Sequence, residues 1–120
     1  MEPITLTASR GRVALRMTCV PMGRDLSVSL SGGDREHIGA VALGLPRPKG
    51  DGATTSVLAV LGHREDDLAR SIATRLASRL GVAVSVACGI HVDDIRREEL
   101  PVVLEMSGEL ADKLASQLER

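Results

Sequence analysis

Over the first part of the chain, apolar residues recur at every second position. Val13, Leu15, Met17 and Cys19 alternate with Arg12, Ala14, Arg16 and Thr18, the period of a strand that buries one face. Ile4–Ser9 precedes this run across the short turn Arg10-Gly11, so the two segments are predicted to pair as a hairpin. A third strand, Asp25–Ser31, sets Leu26, Val28 and Leu30 on one side and Ser27, Ser29 and Ser31 on the other. Ser31-Gly32-Gly33-Asp34 is expected to end it as a loop. Ile38–Leu43 and Thr54–Leu61 read as two further strands. Between them, Pro46-Arg47-Pro48-Lys49-Gly50-Asp51-Gly52 has the composition of an exposed, flexible connection.

The period then changes. Leu68, Ile72, Leu76 and Leu80 fall four apart with Ala69, Ala73 and Ala77 beside them, one apolar stripe of a helix. Glu65, Asp66 and Asp67 open that helix, arginines follow, and Gly81 stops it, an order that suits the helix dipole. Val82, Val84, Val86, Cys88 and Ile90 predict a last strand with Ala83, Ser85, Ala87, Gly89 and His91 on its other face. A C-terminal helix is expected from about Pro101, burying Val103, Met106, Leu110, Leu114 and Leu118. Residues 1–120 therefore read as a single α+β domain of two layers, a mostly antiparallel sheet with two helices on one face. The second face of the sheet, with its serines and other small residues, must be solvated, covered by a ligand or paired with another subunit. A homodimer is the expected outcome.

Composition narrows the function. The 120 residues are 43% hydrophobic and contain no Phe, Trp or Tyr, which removes the platforms on which single-stranded nucleic acids stack. A net charge of −1 likewise argues against a nucleic-acid footprint. Charge is uneven: residues 1–50 carry 7 basic and 4 acidic groups, residues 51–120 carry 8 and 12, a scatter ordinary for a solvated surface. No run is long enough to span a membrane, and Met1-Glu2-Pro3 does not open a secretory signal, so a cytoplasmic location is expected. Cys19 and Cys88 sit alone at apolar strand positions and read as buried hydrophobes, not as a redox pair or zinc knuckle.

The chain has no Walker loop, GxGxxG, CxxC, HExxH or GxSxG motif. Its three histidines remain: His37 opening one strand, His63 where a strand turns into the first helix, and His91 ending the last strand. Crossover geometry can bring these strand ends to one rim, where the imidazoles, with Asp93, Asp94 or Glu65, could hold a divalent metal. Separate surface or capping roles are the alternative. The start of the first helix offers free N–H groups to a phosphate, with His63 and Arg64 at its mouth and Thr54, Thr55 and Ser56 on the incoming strand. The acids at Glu65, Asp66 and Asp67 compete for that end.

At these residues the chain resembles a known family, the small D subunits of gallate-decarboxylase-type operons, described as prenylated-flavin chaperone-like proteins. The segments that carry the resemblance are His37-Ile38-Gly39-Ala40-Val41-Ala42, Thr55-Ser56-Val57-Leu58, Gly62-His63-Arg64-Glu65-Asp66 and Gly89-Ile90-His91-Val92-Asp93, in an order that spans residues 4–118. The resemblance implies a small, usually dimeric protein, with a fold similar to that of small proteasome assembly chaperones. It would bind prenylated FMN, or FMN, and deliver it to a UbiD-type decarboxylase without catalysis of its own, with a flavin prenyltransferase as a further partner. The cofactor-binding candidates are His37, Gly39, Thr55, Ser56, Gly62, His63, Arg64, Gly89 and His91; the metal candidates are His37, His63, His91 and Asp93. Gly39, Ala40, Ala87 and Gly89, which omit bulk, are expected to form a flat apolar slot for the ring. Two positions depart from the family pattern: Asp94 stands where Asn is expected, and Arg64 where Lys is frequent. Two other function classes remain: a protein-only assembly factor for a decarboxylase or other oligomer, and an enzyme using a histidine-bound metal.

Overall fold

In the computed structural model, which describes residues 1–60 and 65–119, the alternating pattern becomes five strands before the first helix and one after it. These are β1 (Ile4–Arg10), β2 (Val13–Met22), β3 (Asp25–Gly33), β4 (Arg35–Pro46), β5 (Ala53–Ala59), α1 (Asp66–Leu80), β6 (Val84–His91) and α2 (Glu99–Leu118). Gly11 takes the left-handed conformation, φ +57°, that the tight β1–β2 turn demands. The strands form one sheet in the order β1-β2-β3-β6-β4-β5. Every neighbouring pair is antiparallel except β3 and β6, which run parallel. The last strand is thus inserted between β3 and β4, although only Asp34 joins those two in sequence.

One face of the sheet is apolar across its central strands. Val13, Leu15, Met17 and Cys19 of β2, Leu26, Val28 and Leu30 of β3, Ala40 and Ala42 of β4, and Val84, Val86 and Cys88 of β6 are all buried there. Both helices cover this face: α1 packs on β4, β5 and β6, α2 on β1 and β2, and the helices touch each other. From α1 come Ala69, Ile72, Ala73, Leu76 and Ala77; from α2, Val103, Met106, Ser107, Leu110, Ala111, Leu114 and Ala115. The Ser107 hydroxyl is satisfied inside the core by donating to the Val103 carbonyl at 2.7 Å. The two-layer α+β arrangement is therefore the one its sequence predicts. Both cysteines are free and buried.

The structure corrects several boundaries. Gly32 and Gly33 belong to β3, because β6 pairs with them at Ile90 and His91, so only Asp34 makes the turn. β4 runs well beyond Ile38–Leu43 at both ends, and β5 ends at Ala59; Leu61, the expected end of that strand, lies outside the described residues. Between β4 and β5 the chain closes on itself, Arg47 N–H donating to the Gly52 carbonyl at 2.9 Å and Gly50 N–H to that of Arg47 at 3.1 Å. The last strand begins at Val84, not Val82. Leu118 is only half-buried at the end of α2, where Ala111 and Ala115 fill the interior positions.

Candidate functional site

A fault in the β4–β6 ladder creates the site. Glu36 pairs with Ile90 and Ala40 with Cys88, so four steps along β4 oppose two along β6 and His37-Ile38-Gly39 bulges out. Two glycines make this possible. A side chain at Gly89 would overlap the His37 carbonyl, and one at Gly39 would overlap the Glu65 carboxylate. Each omits a Cβ so that another part of the protein can lie against the backbone.

Glu65 stands at the N-cap of α1 without a side-chain capping bond. Its backbone carbonyl starts the helix by accepting from Ala69 N–H at 2.9 Å. The side chain, 12% exposed, reaches instead to β4, with Oε1 3.3 Å from His37 Nε2. Its charge also acts on Cys88, whose thiol is pushed up to about 12, first by burial and then by Glu65. A thiol held protonated in this way is a poor nucleophile, so the proximity of a cysteine, a histidine and a glutamate does not make a nucleophilic triad.

His91 is fixed from the opposite side of the bulge. Its carbonyl accepts from Asp34 N–H at 2.6 Å, and Asp34 Oδ2 accepts from Asp93 N–H at 2.7 Å. On the side chain, His91 Nε2 lies 2.8 Å from Asp93 Oδ1 and 3.2 Å from an Arg35 guanidinium nitrogen. With its proton on Nε2 the ring donates to Asp93, and Arg35, 3.8 Å from the same carboxylate, completes a His–Asp–Arg cluster. The His37 and His91 ring centroids are 6.5 Å apart, edge to face. Asp94 follows with φ +49°, a conformation that Asp and Asn tolerate best among residues with a side chain, and its carbonyl accepts from Arg12 at 3.2 Å.

The expected convergence of His37 and His91 on one rim is therefore present, with Glu65 and Asp93 beside them. Gly62, His63 and Arg64 lie outside the described residues. Among the described residues no three His, Cys, Asp or Glu side chains are grouped to hold a metal ion: His37 faces Glu65, and His91 faces Asp93.

Thr55 and Ser56 are not at the helix start. Strand alternation sends them to opposite faces: Thr55 Oγ1 lies 2.6 Å from Thr74 Oγ1, about 12 Å along α1 from its first residue at 1.5 Å per residue, and Ser56 is exposed opposite Leu43. The flat slot is not formed either. Ala40 is buried beneath the helices, Ala87 lies on the other face opposite Ser29 and Val41, and the spaces beside Gly39 and Gly89 are taken by Glu65 and His37. Exposed around the bulge are four aliphatic side chains, Ile38, Val41, Leu58 and Val60, together with the charged Arg35, Glu36 and Asp93. Two cavities of about 290 Å³ each lie elsewhere, one at Arg24, Pro46 and Gly81, the other between α1 and α2 at Leu68 and Leu104. Sequence reasoning missed Arg35 and Asp34. The available signal was the glycines inside strands, which mark a bulge or close approach.

A family model described as a prenylated flavin chaperone LpdD-like domain matches residues 9–119. No curated protein matches the chain. Among solved structures, the fold is similar to that of a chain in the crystal structure of a novel chaperone complex for yeast 20S proteasome assembly. The TM-score is 0.66 at 14% identity, covering 99% of this chain and 100% of that one; at that identity the likeness concerns the fold alone.

Proposed function

Because the chain belongs to the prenylated flavin chaperone LpdD-like family, we propose that it is a non-enzymatic accessory protein that holds prenylated FMN and delivers it to a UbiD-type decarboxylase. The observation that supports this reading is the rim, where His37 of one family segment lies 6.5 Å from His91 of another, with Arg35 beside them. Imidazole and guanidinium donors suit a phosphate. In this reading Arg35 and His91 hold the phosphate end together with His63 and Arg64, and the exposed side chains of Ile38, Val41 and Leu58 take the ring in place of the expected glycine slot. Bound flavin supplies the chemistry of the decarboxylase. This chain's residues bind, orient and release it, and the protonated Cys88 thiol adds no nucleophile. A divalent metal at the rim would need His63 to complete a set with His37 or His91.

The lack of Trp and Tyr gives a clear assay, since a band beyond about 300 nm then belongs to a bound chromophore. Mixed anaerobically with reduced prenylated FMN, the protein should retain the flavin through gel filtration. Added to an apo-decarboxylase with limiting flavin, it should raise the fraction of active holoenzyme and leave turnover per holoenzyme unchanged. Complete separation of protein and flavin at saturation would overturn the reading. Gain of active decarboxylase without flavin retention would favour the protein-only assembly role, and turnover of substrate by the chain alone would favour an enzyme.

A further inference from the structure

The helix layer carries a groove whose two walls differ in chemistry. α1 and α2 run side by side in the same direction, since Arg75 reaches Gly108 and Asp112, and Arg79, one turn further on, reaches Glu119. Between them the cavity of about 290 Å³ is floored by Leu68 and the buried Ile72. Its α1 wall is Asp67, Ser71 and Arg75, one residue per turn. Its α2 wall is Leu104 and Gly108, with Leu100 one turn before them. Leu104 is 58% and Leu100 50% exposed, whereas the opposite flank of α2 is closed by the ion pairs of Arg10 and Arg12 with Glu99, Glu105 and Glu109. The two ends of the groove carry opposite charge. Asp67, whose side chain is 92% exposed, lies 3.4 Å from Arg70 of its own helix. Two turns on, about 12 Å along the axis, Arg75 uses Nη1 for the Gly108 carbonyl at 3.2 Å and Asp112 at 3.4 Å, and its Nη2 has no partner among the described residues.

A strip of exposed leucine between a lone carboxylate and a half-used guanidinium specifies its partner by charge as well as by shape. We propose that this groove docks an amphipathic helix of the enzyme that receives the flavin, an inference that rests on the delivery reading above. The apolar face of that helix lies on Leu100, Leu104 and Leu68, a basic side chain meets Asp67, and a carboxylate two turns away meets Arg75. Helices favour cations near their C-terminus and anions near their N-terminus, so the docked helix runs antiparallel to α1 and α2. The groove is on the helix side of the sheet, so a seated helix leaves Val41 and Leu58 on the other face uncovered. It also begins at the rim, because α1 starts directly after the Glu65 that reaches His37. Docking therefore brings the receiving enzyme beside the held cofactor without covering it.

Purified UbiD-type apo-decarboxylase mixed with the chain at tens of micromolar, without flavin, should sediment as a complex. Leu104→Asp changes an exposed position, so it should keep the parent's circular dichroism and flavin retention while binding the decarboxylase about tenfold more weakly or worse and yielding less active holoenzyme. Asp67→Arg should weaken binding by a smaller factor that shrinks as salt is raised. A folded Leu104→Asp that binds and delivers as the parent does, or a parent that forms no complex, would overturn the groove. A complex formed by a parent that retains no flavin would overturn the delivery reading and leave the docking surface standing. Leu104→Cys carrying an environment-sensitive fluorophore supplies a second measurement, since Cys19 and Cys88 are buried and take no label. Its emission should shift to the blue when the decarboxylase is added, and that of the same label at Thr7→Cys on β1 should not. A shift at Thr7→Cys with none at Leu104→Cys would put the contact on another surface and overturn the proposal.

Discussion

The two helices sit on one sheet by opposite means. Beneath α1 the contact is made of small residues: Ala69, Ala73 and Ala77 meet Ala40, Ala42 and Gly44, and a Cβ added at Gly44 would come within 2.5 Å of the Ala73 carbonyl oxygen. Beneath α2 the contact is bulky, Met106, Leu110 and Leu114 covering the half of the sheet that carries Leu15 and Met17. Charge holds its flank, where Arg10 pairs with Glu105 at 3.0 Å and Glu109 at 2.5 Å, and Arg12 pairs with Glu99 at 2.8 Å. The histidine rim belongs to the α1 half. There the backbones are close enough that bulges and notches, not side-chain volume, shape the surface, whereas the α2 half contributes stability through volume.

Removing volume should therefore have its largest effect on the α2 side. Leu114→Ala leaves a cavity at a fully buried position, and unfolding in urea should show a loss of about 2–5 kcal/mol, with the His37 and His91 imidazole signals of the folded protein unchanged. Adding volume should do the damage on the α1 side, by about 1–3 kcal/mol. Gly44→Ala pushes α1 off β4, and Gly89→Ala forces the His37 carbonyl away and so shifts the His37 imidazole signals as well. If Gly44→Ala is silent in urea, or Gly89→Ala leaves His37 in place, the contrast between the two halves fails.

Much of this fold can be read from periodicity. Val13 to Cys19 and Leu26 to Leu30 alternate because one face is buried and the other is not, and the stripe from Leu68 to Leu80 follows the helical repeat, so the strands, helices and layers follow from local pattern. Register does not. That β6 enters between β3 and β4 depends on pairing between residues about 60 apart in sequence, such as Leu26 with Val84, which no local pattern encodes. The slot expected from Gly39 and Gly89 failed for the same reason: a missing side chain shows that something lies close, and here it is the protein's own Glu65 and His37. Thr55 and Ser56 are adjacent in sequence, yet a strand turns them to opposite faces, so adjacency does not bring them to one site.

The smallest expected effect probes the charged flank of α2. Arg12 reaches Glu99 through two nitrogens, each at 2.8 Å, and the Arg96 N–H donates to the same carboxylate at 2.8 Å. These bonds, the Arg12 side chain first and the Arg96 backbone second, hold Glu99 down to about 2, from an ordinary value of 4.5. The folded value lies below the unfolded one, so the carboxylate adds stability above about pH 4.5, and that contribution is lost as pH falls from there toward 2. At neutral pH solvent reaches the pair through Arg12, whose side chain is 42% exposed, and screens it, so Glu99→Gln should cost little. The difference should appear in acid. Urea midpoints measured from pH 6 down to pH 2.5 should fall more steeply for the parent than for Glu99→Gln, because only the parent must take up a proton at this position on unfolding. Parallel curves would mean that the β1–β2 turn is not tied to the start of α2 in solution, and the α2 half would then be held by the bulk of Met106, Leu110 and Leu114 alone.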